Sequence, residues 1–336
     1  MTDESSQSPT AHDGVRPGLI PVPASELVGI SRWRRYAARQ PSATGCRGAH
    51  VLASQPPLPS GPAWADEEWY QVRFRLACLN AVRPDALGAQ ITAAILRGWP
   101  VPRRLKGGGL TVTLRPGTGL SRRGVKAIKS KCYEPHAIYS VRLNRMDYVL
   151  YELARVMNVS ELVHVIDAMC GTWRTNPVAT VARIRSAAEE ARNVFGKKNL
   201  LTALDLARDK VGSPQETWLR LLIVGAGLPT PLVCTPIQLP HAEHLYHPDL
   251  AYRGARIAIE YEGGHHRTDA WQWEHDIQRE RTFRIAGWEY FRITKRTDIP
   301  EFLTDLTAAL DERAPQWRRR SPDPGLSSSA PCSSSP

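Results

Sequence analysis

IEYEGGHHR, residues 259–267, sets two carboxylates one residue apart, then two glycines, two histidines and an arginine. In an extended strand the side chains alternate between faces. Within the longer segment ARIAIEYE (255–262), Ile257, Ile259 and Tyr261 therefore share one face, and Glu260 and Glu262 share the other. The two carboxylates then stand roughly 7 Å apart at their backbones, close enough to share a cation. The alternative is an acidic strand end that stays solvated as it enters a polar turn. Spacing alone leaves both open.

The preceding segment, HPDLAYRG (247–254), turns most economically through Arg253-Gly254 as a two-residue hairpin. That turn pairs Tyr252 with Ala255, Leu250 with Ile257 and Asp249 with Ala258, which puts Asp249 on the Glu260 face and diagonal to it. Three carboxylates converge. Such a group repels itself and loses solvation unless a cation or hydrogen bonds compensate. Oxygen-only ligands suit Mg2+ or Mn2+, so the candidate metal ligands are Asp249, Glu260 and Glu262. An ion held there can activate a water and offset the charge that develops on a phosphodiester.

Around this strand pair the order reads helix, three strands, helix, strand, helix. SPQETWLRLLIVGAG (213–227) starts with a capping box: Ser213 as N-cap, Pro214 at the first helical position and Glu216 reaching back to the Ser213 amide. Strands follow near PLVCTPIQL, HLYHPDLAY and ARIAIEYE, then a helix from about Asp269 to Ala286, the strand WEYFRIT and the helix IPEFLTDLTAAL. In the helix after the glycines Asp276, Arg279 and Phe283 lie close to one face, which fits an ion pair or a phosphate contact by Arg279. His265 and His266 suit either a solvated turn or action on a water or phosphate.

Further out, residues 1–62 are rich in Pro, Ser, Ala and Gly and read as a flexible arm carrying RWRRYAAR (32–39). Residues 314–336 read as a second tail. Between them, 63–210 alternates helices with short strands: helices at EEWYQVRFRLACLNAV and LGAQITAAILRGW, strands at LTVTLRP and HAIYSVRL, then a helical run from YVLYELARVMNVSELVHVIDAMC through LLTALDLARDK. The expected fold class is α/β, with a mixed sheet flanked by helices over 211–313 following an α+β, mostly helical domain over 63–210.

Charge is uneven. The whole chain carries +11, yet 213–313 holds 11 Lys plus Arg against 15 Asp plus Glu. A basic surface elsewhere raises the expectation of a polyanionic partner such as nucleic acid, with plain solubility as the alternative. The six cysteines form no CxxC pair, which fits reduced thiols in a cytoplasmic protein. No apolar run reaches the roughly 18 residues of a membrane span. HAEHLYH (241–247) spaces three histidines like zinc ligands but lacks a cysteine pair, and KGGGL (106–110) lacks the Gly-Lys-Ser/Thr of a phosphate loop. No nucleophile elbow and no dinucleotide fingerprint is present, so no small-molecule cofactor is implied.

The segments SPQETWLRLLIVGAGLP, HPDLAY, IAIEYEGGHHRTD, HDIQRER and AGWEYFRIT, in that order over about 100 residues, resemble the C-terminal domain of actinobacterial proteins similar to the very short patch repair nucleases. These belong to the PD-(D/E)XK, or restriction-endonuclease-like, superfamily. The resemblance implies a central sheet between helices with a divalent metal at the strand ends. It carries Asp249 over as the motif aspartate, Glu260 as the acid that follows and Glu216 as the acid from the first helix. Glu262 falls where the wider superfamily commonly has lysine and where closer relatives have aspartate. His266 falls on the family histidine, and Asp276 and Arg279 on the helix motif; Arg267 and Arg279 are the candidate nucleic-acid contacts. Residues 65–210 look more distantly like the central region of the same proteins, which are described as similar to AbiEi-type antitoxins. The expectation is a metal-dependent DNA endonuclease. Its alternative is a non-catalytic DNA-binding or antitoxin-like regulator on a nuclease fold, and a third reading is a structural interaction module.

Overall fold

The computed structural model describes residues 21–23, 49–51, 60–174, 176–240, 242–262 and 270–319. Among these the chain is mixed α/β, with nine α-helices and two mixed sheets. It divides into two compact units, Met1–Leu153 and Ala154–Pro336.

In the first unit, β1 (Pro21–Pro23) and β2 (Ala49–Val51) form an antiparallel ladder, so the arm expected over 1–62 is not featureless. Ala49 is buried with Phe74 and Cys78, an apolar contact that holds β2. RWRRYAAR lies outside the described residues. Helix α1 (Glu67–Val82) starts at Asp66, whose carboxylate accepts the Trp69 N–H at 2.9 Å. It buries Trp69, Leu76 and Leu79 against a five-stranded sheet ordered β5-β4-β3-β7-β6. The strands are β3 (Leu87–Gly88), β4 (Leu110–Thr113), β5 (Val125–Ile128), β6 (Pro135–Ile138) and β7 (Val141–Asn144); α2 (Gln90–Leu96) follows β3 and α3 (Met146–Leu153) follows β7.

Two expectations are corrected, and one strand had not been expected. Leu87 and Gly88 belong to a strand, not to the helix after it. VKAI forms the edge strand β5, which its weak alternation did not announce. HAIYSVRL is a hairpin, because Tyr139 and Ser140 both take positive φ (51° and 63°) and pair Ile138 with Val141.

In the second unit, α4 (Val159–Cys170) opens on a reciprocal capping box between Asn158 and Glu161, which breaks the helical run expected through this region. Helices α5 (Val181–Glu190), α6 (Lys197–Leu206) and α7 (Pro214–Gly225) follow. The unit boundary falls before α4 rather than near 210, and a buried ion pair shows why. Asp167 on α4 accepts the Arg220 Nη2–H of α7 at 2.5 Å, the Thr217 hydroxyl at 2.9 Å and the Arg208 N–H at 2.8 Å. Both charged side chains are 1% exposed, so α4 and α7 cannot part without baring a charge pair.

Strands β8 (Leu232–Val233), β9 (Leu250–Tyr252), β10 (Ile257–Tyr261) and β11 (Glu289–Ile293) form a sheet ordered β11-β10-β9-β8, with β10 parallel to β11 and the other pairs antiparallel. Helix α8 (Ala270–Ile285) lies between β10 and β11 in the chain, and α9 (Ile299–Arg313) follows β11. The helix and strand order matches the sequence expectation. Both faces of β10 are covered, which is why it reads as a near-continuous apolar run. Ile257 and Ile259 pack with Leu219 and Ile223 of α7 and Phe302 and Leu306 of α9. Ala258, on the opposite face, packs with Phe283 of α8 and Tyr290. After α9, Trp317 and Arg318 both bond to Asp311, so the first residues of the segment expected as a tail from 314 are ordered against α9, and the rest lie outside the described residues.

None of the described helices is long and apolar enough to cross a membrane. Cys78, Cys132, Cys170 and Cys234 are free thiols.

Candidate active site

The strand pair that carries the acids has a longer turn than the sequence suggests. Residues 253–255 form a short 3-10 turn and Arg256 is left-handed (φ 52°, ψ 51°), so four residues link the strands instead of two. Tyr252 pairs with Ile257 and Leu250 with Ile259. The register moves by two, which preserves parity. Asp249 stays on the Glu260 face, and continuing the ladder by one step puts it opposite Glu260 rather than diagonal to it.

Asp249 Oδ2 accepts the Tyr261 N–H at 2.8 Å. Even so, its pKa is pushed up to about 7, first by burial and then by the charge of Glu216, with Glu260 adding to it. Glu216 is itself buried, and burial raises its pKa although the Gly212 N–H donates to its carboxylate at 2.9 Å. Ser213 caps α7 as expected, accepting the Glu216 N–H at 3.2 Å. The returning bond, however, comes from Gly212 and not from the Ser213 amide. Position in the first turn favours the charged form of Glu216, and burial outweighs it. Two carboxylates from different elements thus interact, and burial and repulsion outweigh the N–H donors each has and the Arg279 charge.

Glu260 is differently placed. Its Oε1 accepts Arg279 Nε–H at 2.7 Å and its Oε2 accepts the Tyr290 hydroxyl at 2.6 Å. Arg279 also donates to the His247 carbonyl at 3.1 Å. Burial opposes the Arg279 charge, but Glu260 more than offsets it and holds the guanidinium pKa above its ordinary value. Burial, then Glu260, raises the Tyr290 pKa. Glu262 donates its N–H to the Ile293 carbonyl at 2.7 Å, and its carboxylate lies 3.9 Å from Arg292, which sits 3.1 Å from Glu280. The position without a lysine therefore has a cation beside it, supplied by the neighbouring strand.

Four contributors were not singled out from the sequence. Tyr290 and Arg292 alternate along β11 on the Glu260 face, because Glu260 pairs with Arg292 and Ala258 with Tyr290. Cys234 donates its N–H to the Asp249 carbonyl at 3.0 Å. Its thiol pKa is raised by burial, then by Glu216 and Asp249, with Lys210 acting against them. Strand alternation in WEYFRIT was the available signal for the first two; nothing local marks Cys234 or Lys210. His265, His266 and Arg267 lie outside the described residues, as does the Asp276 side chain.

Among the described residues no group of three His, Cys, Asp or Glu side chains is arranged to hold a metal. The set Asp249, Glu260 and Glu262 does not fit an ion as it stands, because both Glu260 oxygens are taken and Glu262 faces Arg292. The zinc-like spacing of HAEHLYH assembles no such group among the described residues either. Glu216 with Asp249 does fit in donor chemistry: two carboxylates raised by burial and by repulsion are what a divalent cation would relieve.

No protein-family model matches the chain, and neither a curated protein nor a solved structure does so.

The Asp249 shift has a sign that can be checked. Its folded pKa lies above the ordinary carboxylate value, so between about pH 4 and about pH 7 the folded protein holds a proton that the unfolded chain has lost. Stability falls as pH rises through that window. Asp249→Asn is expected to melt at a higher temperature than the parent at about pH 8, with the gap closing towards about pH 4. Thermal melts across this range test it, and a variant that melts lower at about pH 8 contradicts it.

Proposed function

We propose that this strand end is the catalytic site of a metal-dependent DNA endonuclease with a restriction-endonuclease-like second unit. The observation that carries the reading is the Asp249 carboxyl, buried at the end of the strand pair and further destabilised as an anion by Glu216 and Glu260. Proteins keep such repulsion where the site uses it. The helix, three strands, helix, strand, helix order and the mixed sheet support the fold assignment.

In this reading Glu216 and Asp249 hold a Mg2+ or Mn2+ ion, which supplies a more acidic water and neutralises charge on the phosphodiester. Glu260 is oriented by Arg279 and Tyr290, and Arg292 offers positive charge near Glu262 where a phosphate oxygen would gain negative charge. His266 and Arg267 remain as the sequence proposed them, a general base or phosphate ligand and a DNA contact.

One observation favours a second reading, a DNA-binding regulator without catalysis. The Arg279 and Tyr290 bonds already satisfy Glu260, so the acidic set is partly neutralised without any ion. Plasmid relaxation separates the two. Cutting in Mg2+ or Mn2+ that EDTA abolishes supports the nuclease; tight, salt-sensitive binding with plasmid left intact supports the regulator and contradicts the nuclease.

A further inference from the structure

We infer that the β5 edge of the five-stranded sheet in the first unit is a docking surface for the phosphate backbone of duplex DNA. Residues 101–133 hold nine Lys plus Arg and no Asp or Glu. Arg122 and Arg123 precede the edge strand β5, Lys126 lies on it, and Lys129 and Lys131 follow it. Because β4 and β5 run parallel, the segment that carries Lys106 enters β4 from the same end of the sheet. Lys126 is exposed midway along β5. Arg115, Lys129 and Lys131 follow at the far ends of the same two strands. At about 3.3 Å per residue, β5 and its flanks form a cationic line of roughly 20 Å.

The two entering segments are locked together. Leu110 N–H donates to the Gly124 carbonyl at 2.8 Å, and a Cβ on Gly109 would stand 2.0 Å from that oxygen. Gly107 and Gly124 both take φ of +74°, which an L side chain resists. Gly108 has neither reason: its φ is not left-handed and a Cβ there would meet nothing within 4 Å. Glycine at an open position leaves the backbone approachable from outside. Arg75 of α1 reaches the same turn, its guanidinium 3.4 Å from where a Cβ on Gly124 would sit.

Edge protection is the ordinary use of a strand lysine, and Lys126 alone would serve it. The remaining eight cations stand in turns and flanks that have no edge to protect. Among the described residues, no carboxylate pairs with Arg103, Arg115, Arg123, Lys126, Lys129 or Lys131, whereas Lys106 bonds Glu68 at 2.6 Å. The carboxylates that bound the segment are already engaged, Asp85 with Arg83 and Glu134 with Arg145. No exposed large hydrophobic residue lies within the segment among those described, which disfavours a membrane surface. A line of cations without apolar anchors is complementary to a polyphosphate.

The choice of DNA rests on the proposed function; the surface does not, because it belongs to the other unit and needs no metal. The test is fluorescence anisotropy of a labelled duplex with the full chain in EDTA. The triple change Arg123→Glu, Lys126→Glu, Lys129→Glu is expected to weaken binding about 30-fold or more near 0.1 M salt and to flatten the log K against log salt slope by about 2 to 3. The neutral triple, each residue to Gln, is expected to lose less in the same direction, with the melting temperature of both variants unchanged. A control with Arg183, Arg192 and Lys198 changed to Glu should lose no more than about threefold. Equal losses in the control and the β5 variant overturn the surface. Tighter binding of single-stranded RNA, or of vesicles rich in phosphatidylserine, overturns duplex DNA as its occupant. Absence of cleavage in Mg2+ would overturn the nuclease and leave this result standing.

Discussion

Asp249→Ala is expected to slow Mg2+-dependent DNA cleavage by about 10³-fold while raising the melting temperature at about pH 8. The rate loss follows from removing one of two carboxylates proposed to hold the ion, an interaction of several kcal/mol at about 1.4 kcal/mol per factor of ten. The stability gain follows from removing a group whose charge is opposed by burial, Glu216 and Glu260. Opposite signs in activity and stability distinguish a site held under repulsion from a structural residue, whose loss lowers both. Glu216→Gln should behave alike, and the double change should add little to either single loss if the two act as a unit. Loss of stability at about pH 8 together with loss of activity would show that Asp249 is structural.

Arg220→Ala is expected to destabilise the second unit by about 3–5 kcal/mol, the cost of leaving a buried charge without its partner. Asp167 already has a raised pKa, since burial outweighs Arg220 and the hydrogen bonds it accepts. Without Arg220 it would take a proton more readily, so the loss should shrink as pH falls. Replacing both, Asp167→Leu with Arg220→Met, should recover part of the loss, because the buried pair is gone while the Arg208 N–H and Thr217 hydroxyl lose their acceptor. Urea unfolding of the three variants measures this. A single-variant loss below about 1 kcal/mol would mean that the pair does not fasten α4 to α7.

The second half of the chain was legible because its strands carry strong patterns. IAIEYE sets two acids on one face against an apolar face, SPQE announces a helix start, and WEYFRIT keeps its parity, so the element order followed directly. Turns were harder. Tyr139 and Ser140 are not residues that advertise positive φ, and the Arg256 left-handed link lengthened a hairpin that Arg253-Gly254 alone would close. The site was half legible. Parity placed Asp249 with Glu260, yet the partners that fix Glu260, Arg279 apart, depend on β10 lying beside β11, which no single strand encodes. The Cys234 contribution depends on β8 pairing with β9, and that of Lys210 on the segment before α7 lying near Cys234, which no local pattern encodes.

The most direct measurement is cleavage of plain duplex, mismatched, branched and single-stranded DNA in Mg2+ and in Mn2+, comparing the intact protein with Asp249→Ala. At least one substrate is expected to be cut by the intact protein, EDTA should stop the cutting, and the variant should be about 10³-fold slower. Uncut DNA across all substrates and both metals, or equal cutting by the variant, would contradict the proposed site.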